Sequence, residues 1–267
     1  MNHSPEGGNP RKVALHLLRE VLGDGRPLDE ALARNAHLAR LEPRDRAFAR
    51  LILATTLRRL GQIDAALDRC LDRPIKAKDL MLRHILRLGA AQLLFLETPP
   101  HAAVSTALDL AKGPRLAGQR GLLNAVLRRL SREGGEIVAA QDAARLNTPD
   151  WLWESWTAAY GETTTRAIAA AQLDEPPLDL TCKGDPRAWA EKLGAEVLPG
   201  GSLRLPGGRG DVARLPGYDE GAWWVQDAAA ALPARLLGDV KGKSVIDLCA
   251  APGGKTAQLA AAGAEVI

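Results

Sequence analysis

The amino-acid sequence predicts a multi-domain protein: an all-α helical bundle, then a small α+β module, then the start of an α/β domain. The chain has 267 residues, more than one compact domain usually needs. Apolar residues recur at helical spacing through the first 150 residues, whereas prolines and glycines separate short strand-like pieces after Glu175. From Val245 to Gly263 an apolar run, a Gly/Pro turn and a helix-like stretch follow one another. That is the order of a buried parallel strand leading into a helix.

The helical pattern occupies the first 150 residues. Residues 1–9 are expected to be a disordered tail, and Asn9 and Pro10 suit the N-cap and first residue of a helix. Gly61 is expected to stop the third helix and Asp79 to cap the long apolar one. The predicted helices begin at residue 10 and then run over residues 28–36, 43–60, 64–71, 80–96, 101–112 and 121–132. These elements, without a strand among them, indicate an all-α bundle.

The residue pattern of the chain changes after Thr148 and Pro149. Trp151, Trp153, Trp156 and Tyr160 mark a segment that indicates packing between domains, with base stacking as the alternative. A further helix is expected over residues 163–173. Strand-like pieces at residues 178–182, 196–198 and 202–205 surround a small predicted helix over residues 186–193, and together they indicate the α+β module. A helix over residues 227–237 is expected to pack on the sheet that Val245 begins.

The charge of the chain is distributed unevenly. The net charge is +3, but residues 1–150 carry +7 and residues 151–267 carry −4. A basic first half suits a polyanion such as nucleic acid, although an arginine-rich solvated surface would give the same count. Residues 110–132 contain no acid, and their candidate RNA-binding cations are Lys112, Arg115, Arg120, Arg128, Arg129 and Arg132. For each arginine alone, phosphate binding and complementation of a helix C-terminus both stay open.

Cysteine usage and hydropathy exclude several classes of protein. Three cysteines lie far apart, which gives neither a disulfide framework nor a zinc cluster. The N-terminus has no apolar signal core, and no run of about 18 apolar residues occurs. We therefore expect a cytoplasmic protein, a monomer that binds neither a metal nor a membrane.

The Gly/Pro turn near the C-terminus is the candidate ligand site. Adjacent Gly253 and Gly254 let a backbone approach a ligand closely, and a helix N-terminus offers free N–H donors. A P-loop is excluded, because its first glycine would fall at Cys249. The dinucleotide pattern G-x-G-x-x-G also fails, since the two glycines are adjacent. An ordinary tight connection between a strand and a helix is the remaining alternative.

The segment Asp247–Thr256, DLCAAPGGKT, resembles the S-adenosylmethionine-binding signature of the RNA cytosine-5 methyltransferases. Within that group it is similar to the bacterial branch that modifies 16S ribosomal RNA, the RsmB (Sun/Fmu) type. The stretches Trp223–Leu237 and Gly121–Leu130 match this branch as well. The resemblance implies a NusB-like RNA-binding domain over residues 10–147 and a helical/α+β linker over residues 148–215. It also implies a Rossmann-like methyltransferase domain from residue 216, of which residues 216–267 are expected to be only the first part.

The same resemblance implies the site residues. S-adenosyl-L-methionine would be held by Cys249, Ala250, Ala251, Pro252, Gly253, Gly254 and Lys255. Asp247 would orient the turn or reach the cofactor amine, or else cap backbone N–H groups. Lys255 would meet the cofactor carboxylate or an RNA phosphate, or else stay in solvent.

Chemistry in this family uses a cysteine thiolate that adds to carbon 6 of cytosine, so that carbon 5 attacks the methyl group. The family places that cysteine well downstream of the glycine signature, so no catalytic residue is expected in residues 1–267, which alone are predicted to be inactive. Cys249 belongs to the cofactor turn, and Cys70 and Cys182 are expected to be structural. The alternatives are a stand-alone NusB-like RNA-binding module of the antitermination type and an unrelated adenosylmethionine or nucleotide enzyme.

Overall fold

The protein is described by a computed structural model that covers residues 8–114, 116–206 and 212–267. It divides into two compact units, residues 1–174 and residues 175–267. The predicted tail lies mostly outside the described residues, which begin at Gly8. Within the described parts of the chain, no helix combines the length and apolar character needed to cross a membrane.

Every regular element among the described residues of the first unit is a helix. Its α-helices are α1 Pro10–Leu22, α2 Leu28–Arg34, α3 Ala36–Ala39, α4 Pro43–Arg58, α5 Leu60–Cys70, α6 Leu80–Leu94, α7 Pro100–Leu110, α8 Arg120–Ala139, α9 Ala143–Leu146, α10 Asp150–Tyr160 and α11 Glu162–Ala171. Apolar faces of α1, α4, α5, α6 and α8 form one core, in which Leu17, Ile52, Ile63, Leu86 and Leu127 are fully buried. The all-α prediction for this part of the chain is confirmed.

The first helix starts where the sequence predicts. The side chain of Asn9 accepts hydrogen bonds from the backbone N–H groups of Arg11 and Lys12, at 2.9 and 3.3 Å, and Pro10 is the first helical residue. An N-cap satisfies backbone donors that the helix itself leaves unpaired. The predicted helix over residues 28–36 is instead divided at Asn35, whose side chain accepts from Leu38 N at 2.8 Å and caps α3.

Gly61 does not stop a helix, contrary to the prediction. Helix α4 ends at Arg58, and Gly61 is the second residue of α5. A Cβ atom at this position would lie 1.7 Å from the backbone oxygen of Leu146 in α9. Glycine is therefore needed because the backbones of α5 and α9 touch here, which is a packing requirement that no local pattern reveals.

Helix α8 is longer than predicted, since it continues from Arg132 to Ala139 through two glycines. The first of them, Gly134, is buried, and a Cβ atom there would lie 2.4 Å from a methyl carbon of Leu94 in α6. Asp79 does not cap α6 with its side chain, contrary to the prediction. Its Oδ1 instead accepts a hydrogen bond from Gln119 Nε2 at 3.0 Å.

The second unit contains two small sheets. Its elements are β1 Leu178–Cys182, α12 Pro186–Leu193, β2 Glu196–Val197, β3 Leu203–Leu205, β4 Trp223–Val225, α13 Ala228–Leu236, β5 Ser244–Val245, α14 Gly254–Ala261 and β6 Glu265–Val266. The first four strands form an antiparallel sheet in the order β2-β3-β1-β4. Leu180, Leu203, Leu205 and Trp223 form its core. The predicted strands and small helix of the α+β module are present, and β4 joins their sheet.

Strands β5 and β6 form a parallel pair connected by α14, with Ser244 opposite Glu265 and Val245 opposite Val266. This βαβ unit is the repeating element of open α/β sheets. Leu259 of α14 packs with Ala234 of α13 and with Val240. The predicted buried strand is instead the two-residue strand β5, in which Ser244 is exposed and Val245 is partly buried. The residues that follow it are open to solvent, since Ile246 is 66% and Leu248 92% exposed.

A buried histidine makes the stability of the helical unit sensitive to pH. His84 in α6 is fully buried, and its Nδ1 lies 3.3 Å from Arg87 Nη1. Burial and the nearby charge of Arg87 lower the pKa of His84 to about 4. His84 therefore becomes protonated near pH 6.5 in the unfolded chain, but only near pH 4 in the folded unit.

Because its folded pKa is lowered, the contribution of His84 is fully present above pH 6.5 and is lost as the pH falls towards 4. We expect His84 to account for a loss of about 2 kcal/mol of unfolding free energy between pH 7 and pH 5. Urea denaturation of the wild type and of the His84→Leu variant at a series of pH values measures this loss. The prediction would be contradicted if the free energy of unfolding changed with pH by the same amount in the two proteins.

Candidate functional site

The Gly/Pro turn connects β5 to α14 and is open to solvent. The side chains of Cys249, Ala250, Ala251 and Pro252 are exposed, and the Ala251–Pro252 peptide bond is cis. Gly253 N donates to Ala250 O at 2.6 Å, which closes the turn. The helix then starts at Gly254, so its first N–H groups lie beside the exposed turn residues.

The two glycines serve different purposes. Gly253 has a φ of 102°, a backbone conformation that residues with a side chain rarely adopt. Gly254 has an ordinary helical conformation, and a Cβ atom there would approach no described atom closer than 3.7 Å. The turn geometry thus explains Gly253, whereas packing within the described chain does not require glycine at position 254.

Asp247 closes the base of the turn. Its Oδ2 accepts a hydrogen bond from Thr256 Oγ1 at 2.7 Å, and its backbone N–H donates to Ile267 O at 3.0 Å. This bond joins the start of the turn to α14, as expected of a residue that orients the turn, whereas contact with the cofactor amine stays a prediction. Lys255 is exposed and forms no ion pair with any described residue.

The three cysteines have different environments. Cys70 is buried in the helical core, Cys182 is partly buried at the end of β1, and Cys249 is exposed in the turn. Burial raises the pKa of the Cys70 and Cys182 thiols, which disfavours the reactive thiolate. Within the described residues, no cluster of three or more His, Cys, Asp or Glu side chains is arranged to hold a metal ion.

An ion pair between a buried carboxylate and a partly exposed guanidinium in the second unit was not predicted from the sequence. Asp179 of β1 is 5% exposed, and its carboxylate accepts two hydrogen bonds from Arg204 of β3, both at 2.8 Å. It also accepts from the backbone N–H of Ala228, the first residue of α13, at 3.1 Å. These bonds, led by those from Arg204, hold the pKa of Asp179 below its usual value. The only sequence signal for this pair is a charged residue inside an otherwise apolar strand.

The candidate RNA-binding cations in the first unit fall into two groups. Arg120, Arg128 and Arg132 of α8 are exposed. Arg128 and Arg132 are one helical turn apart and therefore neighbours, whereas Arg120 lies two turns before Arg128 and about 80° around the helix from it. Arg128 Nε donates to Asn124 Oδ1 at 3.0 Å, and Arg132 Nη1 donates to Arg128 O at 3.2 Å. None of the three forms an ion pair with a described acid. We call them the α8 arginine ridge.

The remaining candidates are arranged differently. Arg129 forms an ion pair with Glu133 at 2.9 Å, and Lys112 pairs with Asp109 at 2.8 Å. Arg115 lies outside the described residues. Complementation of a helix C-terminus does not explain the ridge, since α8 continues to Ala139 and its last turn contains no basic residue.

Comparison with known proteins gives one family match. The model of the NusB family matches residues 8–132. This range covers most of the helical unit and ends with the last residue of the α8 arginine ridge.

The chain is also similar to several curated bacterial proteins. It is 38% identical to the ribosomal RNA small subunit methyltransferase B of Xylella fastidiosa, over 95% of this chain and 60% of that protein. It is 35% identical to the probable ribosomal RNA small subunit methyltransferase B of Synechocystis, over 94% of this chain and 60% of that protein. It is 29% identical to the ribosomal RNA small subunit methyltransferase B of Escherichia coli, over 94% of this chain and 60% of that protein. The chain thus spans about 60% of the length of the curated relatives it matches.

Among solved structures, the crystal structure of PH0851 has a TM-score of 0.59 to this protein at 19% identity. The similarity covers 96% of this chain and 62% of that one. At this identity it shows a shared fold.

Proposed function

Because the chain carries a NusB-family domain and is homologous to ribosomal RNA small subunit methyltransferases B, we propose that the protein is a ribosomal RNA cytosine-C5 methyltransferase that uses S-adenosyl-L-methionine. Residues 10–147 would bind RNA, residues 148–215 would form the linker module, and residues 216–267 would begin the Rossmann-like cofactor domain. The observation that carries the proposal is the open glycine turn between β5 and α14, within a chain similar to these enzymes over most of its length.

The turn offers a physical basis for cofactor binding. A ligand at the N-terminal end of α14 would meet unpaired backbone N–H groups. Small residues from Ala250 to Gly254 leave this backbone accessible, and Gly254 has no internal packing reason to be a glycine. Cys249 and Lys255, at the two ends of this segment, are also exposed, and we propose that all seven residues from Cys249 to Lys255 contact the cofactor.

The cysteine environments support a nucleophile other than Cys70 or Cys182, because both thiols are buried or partly buried with raised pKa values. Cys249 is assigned to the cofactor turn. Residues 1–267 are therefore expected to give no methyl transfer from radiolabelled S-adenosylmethionine to small-subunit ribosomal RNA. Turnover above background would contradict this assignment of the cysteines.

Exposed Cys249 provides a direct test of cofactor binding. S-adenosylmethionine at ten times its Kd is expected to slow maleimide alkylation of Cys249 about tenfold, because only the free fraction reacts. The Gly254→Val variant should lose this protection, because a Cβ atom there already lies 3.7 Å from Gln226 and the two further methyl groups of valine would displace the start of α14. Alkylation is followed by mass spectrometry of the peptide that contains Cys249. Protection by ATP in place of S-adenosylmethionine would favour an unrelated nucleotide enzyme, and the absence of any protection would contradict the proposal.

The α8 arginine ridge is proposed to bind RNA phosphates, because guanidinium groups without acidic partners are free for bidentate contacts. Replacing both Arg128 and Arg132 with glutamine is expected to weaken RNA binding. It should also reduce the slope of log affinity against log salt by about one for each phosphate group that the variant no longer binds. Titration of fluorescent small-subunit RNA at several salt concentrations measures both quantities.

Arg129→Gln is the matched control for the ridge. Its guanidinium is already paired with Glu133, so we expect a smaller loss of affinity than for Arg128→Gln. An equal effect of all three single substitutions would indicate that overall charge, rather than the ridge, binds RNA.

A second candidate function is an RNA-binding module without catalysis, which the NusB match and the ridge favour. The two functions share the salt-dependent RNA binding. They differ in the alkylation experiment, where a module without catalysis predicts no protection of Cys249 by S-adenosylmethionine.

A further inference from the structure

Gln226 connects three elements of the second unit. It follows β4 directly, it is 6% exposed, and its backbone N–H donates to Asp179 O of β1 at 3.0 Å. Its side-chain Oε1 accepts a hydrogen bond from Trp224 Nε1 at 2.9 Å. Its Nε2 donates to Gln258 Oε1 of α14 at 3.1 Å and approaches Ala230 O of α13 at 3.4 Å. The buried amide group therefore has partners on both its donor and its acceptor side.

A second glutamine extends the connection. Gln258 Nε2 donates to Ala231 O of α13 at 3.0 Å, so the two amides bridge α13 and α14 in tandem. Gln258 is in the second turn of α14, one helical turn after Gly254. The orientation of α14 is thus fixed by polar contacts as well as by the packing of Leu259.

Gln226 also lies near the first residue of α14. A Cβ atom at Gly254 would lie 3.7 Å from Cγ, Cδ and Nε2 of Gln226. The side chain of Gln226 therefore lies on the side of α14 towards which a side chain at position 254 would point. A hydrophobic side chain of similar length could fill this space, but it would leave Trp224 Nε1 and Gln258 Oε1 without their partner.

We propose that Gln226 is a positioning residue for cofactor binding: it holds the start of α14, and with it the turn at Gly253 and Gly254, against the antiparallel sheet. The proposal rests on the proposed cofactor-binding function of that turn. Gln226 acts through Gly254 and Gln258 and is not assigned any contact with the cofactor.

Hydrogen exchange on the Gln226→Met variant tests the positioning role without cofactor. We expect backbone amides of α14 to exchange about tenfold faster than in the wild type, because hydrogen bonds between buried partners are removed locally. Amides of β1 and β3 should keep their rates. Equal acceleration in α14, β1 and β3 would show a general loss of stability, and no acceleration in α14 would show no effect on the turn. Either result overturns the proposal.

Two further measurements separate this proposal from the proposed function. Trp224→Phe removes one donor to Gln226 but leaves its contacts with Gln258 and Gly254, so α14 amides should exchange within about twofold of wild type. Protection of Cys249 by S-adenosylmethionine should then require about tenfold more cofactor in Gln226→Met than in Trp224→Phe. If the wild type shows no protection, the proposed function fails, whereas the exchange rates still decide whether Gln226 positions α14. Similar cofactor requirements in the two variants would overturn the role in binding.

Discussion

Replacing Gly61 with alanine is expected to lower the free energy of unfolding of the helical unit by about 3 to 4 kcal/mol, at the upper end of overpacking effects. The added Cβ atom would lie 1.7 Å from the backbone oxygen of Leu146, far inside van der Waals contact. A backbone atom cannot rotate away as a side chain can, so α5 and α9 must separate.

Separation of these helices is opposed by a network of hydrogen bonds around Gln62. The backbone N–H of Gln62 donates to Asn147 Oδ1 at 3.1 Å, and Asn147 Nδ2 donates to Gln62 Oε1 at 3.0 Å. Gln141 Nε2 donates to Gln62 O at 3.0 Å. Because Gln62 is 2% exposed, groups deprived of these partners would be left unsatisfied away from water. This network is the reason why we expect the clash to be costly rather than relieved by a small shift.

Gly135→Ala is the matched control. Gly135 lies inside α8, it is exposed, and no described atom lies within 4 Å of a Cβ built there. Alanine favours the helix over glycine, so this variant should gain about 1 kcal/mol. Urea denaturation followed by circular dichroism gives both values, provided that the slope with denaturant is unchanged. Destabilisation of both variants, or of neither, would contradict the role assigned to the contact between α5 and α9.

The different behaviour of the two glycines shows which parts of the fold the sequence could predict. Helices α1 and α7 and strand β1 follow from local periodicity and capping, and they start within one residue of their predicted positions. Gly61 was misinterpreted, because its partner Leu146 is distant in the sequence, and the role of Gly134 was not predicted, because its partner Leu94 is distant as well. A glycine that ends a helix and a glycine that admits a neighbouring helix look alike until the tertiary packing is known.

In the candidate site, too, features encoded by neighbouring residues were predictable and features that depend on distant residues were not. The geometry of the Gly/Pro turn was predictable because it is encoded by consecutive residues, among them the glycine with positive φ; its role in cofactor binding stays a prediction. The interactions that support the turn were not predictable. Gln226 and Gln258 meet only when α13 and α14 pack together, and Asp247 could have bonded to several groups besides Thr256. The ridge on α8 was identified by composition, but its separation from Arg129 depends on the helix continuing past Arg132.

The second large effect is expected from Asp179→Ala, which should lower the free energy of unfolding of the second unit by about 3 kcal/mol, because hydrogen bonds to a charged group are lost. The carboxylate accepts three hydrogen bonds, two from the guanidinium of Arg204 and one from Ala228 N. It thereby joins β1 to β3 and to the start of α13 while it is almost completely buried. Removing it deletes these charge-assisted bonds and leaves the backbone N–H of Ala228 without this acceptor.

The pH dependence of stability distinguishes the ionised carboxylate from simple loss of packing. The folded pKa of Asp179 is lowered, chiefly by its hydrogen bonds with Arg204. Its contribution is therefore present above its unfolded pKa, near 4, and is lost as the pH falls through the lower folded value. Below that value, the wild type and the Asp179→Ala variant should converge in stability apart from the packing of the side chain.

Asp179→Asn supplies the matched comparison, because the amide has nearly the same shape but no negative charge. If the charge is what stabilises the second unit, the asparagine variant should lose most of the stability that the alanine variant loses near neutral pH, and it should show a flatter pH profile below pH 4 than the wild type. The loss should also appear as faster hydrogen exchange in β1, β3 and α13, whereas the helical unit should be unaffected because it contains none of the partners of Asp179. A wild-type-like asparagine variant would show that shape, not charge, is required at this position.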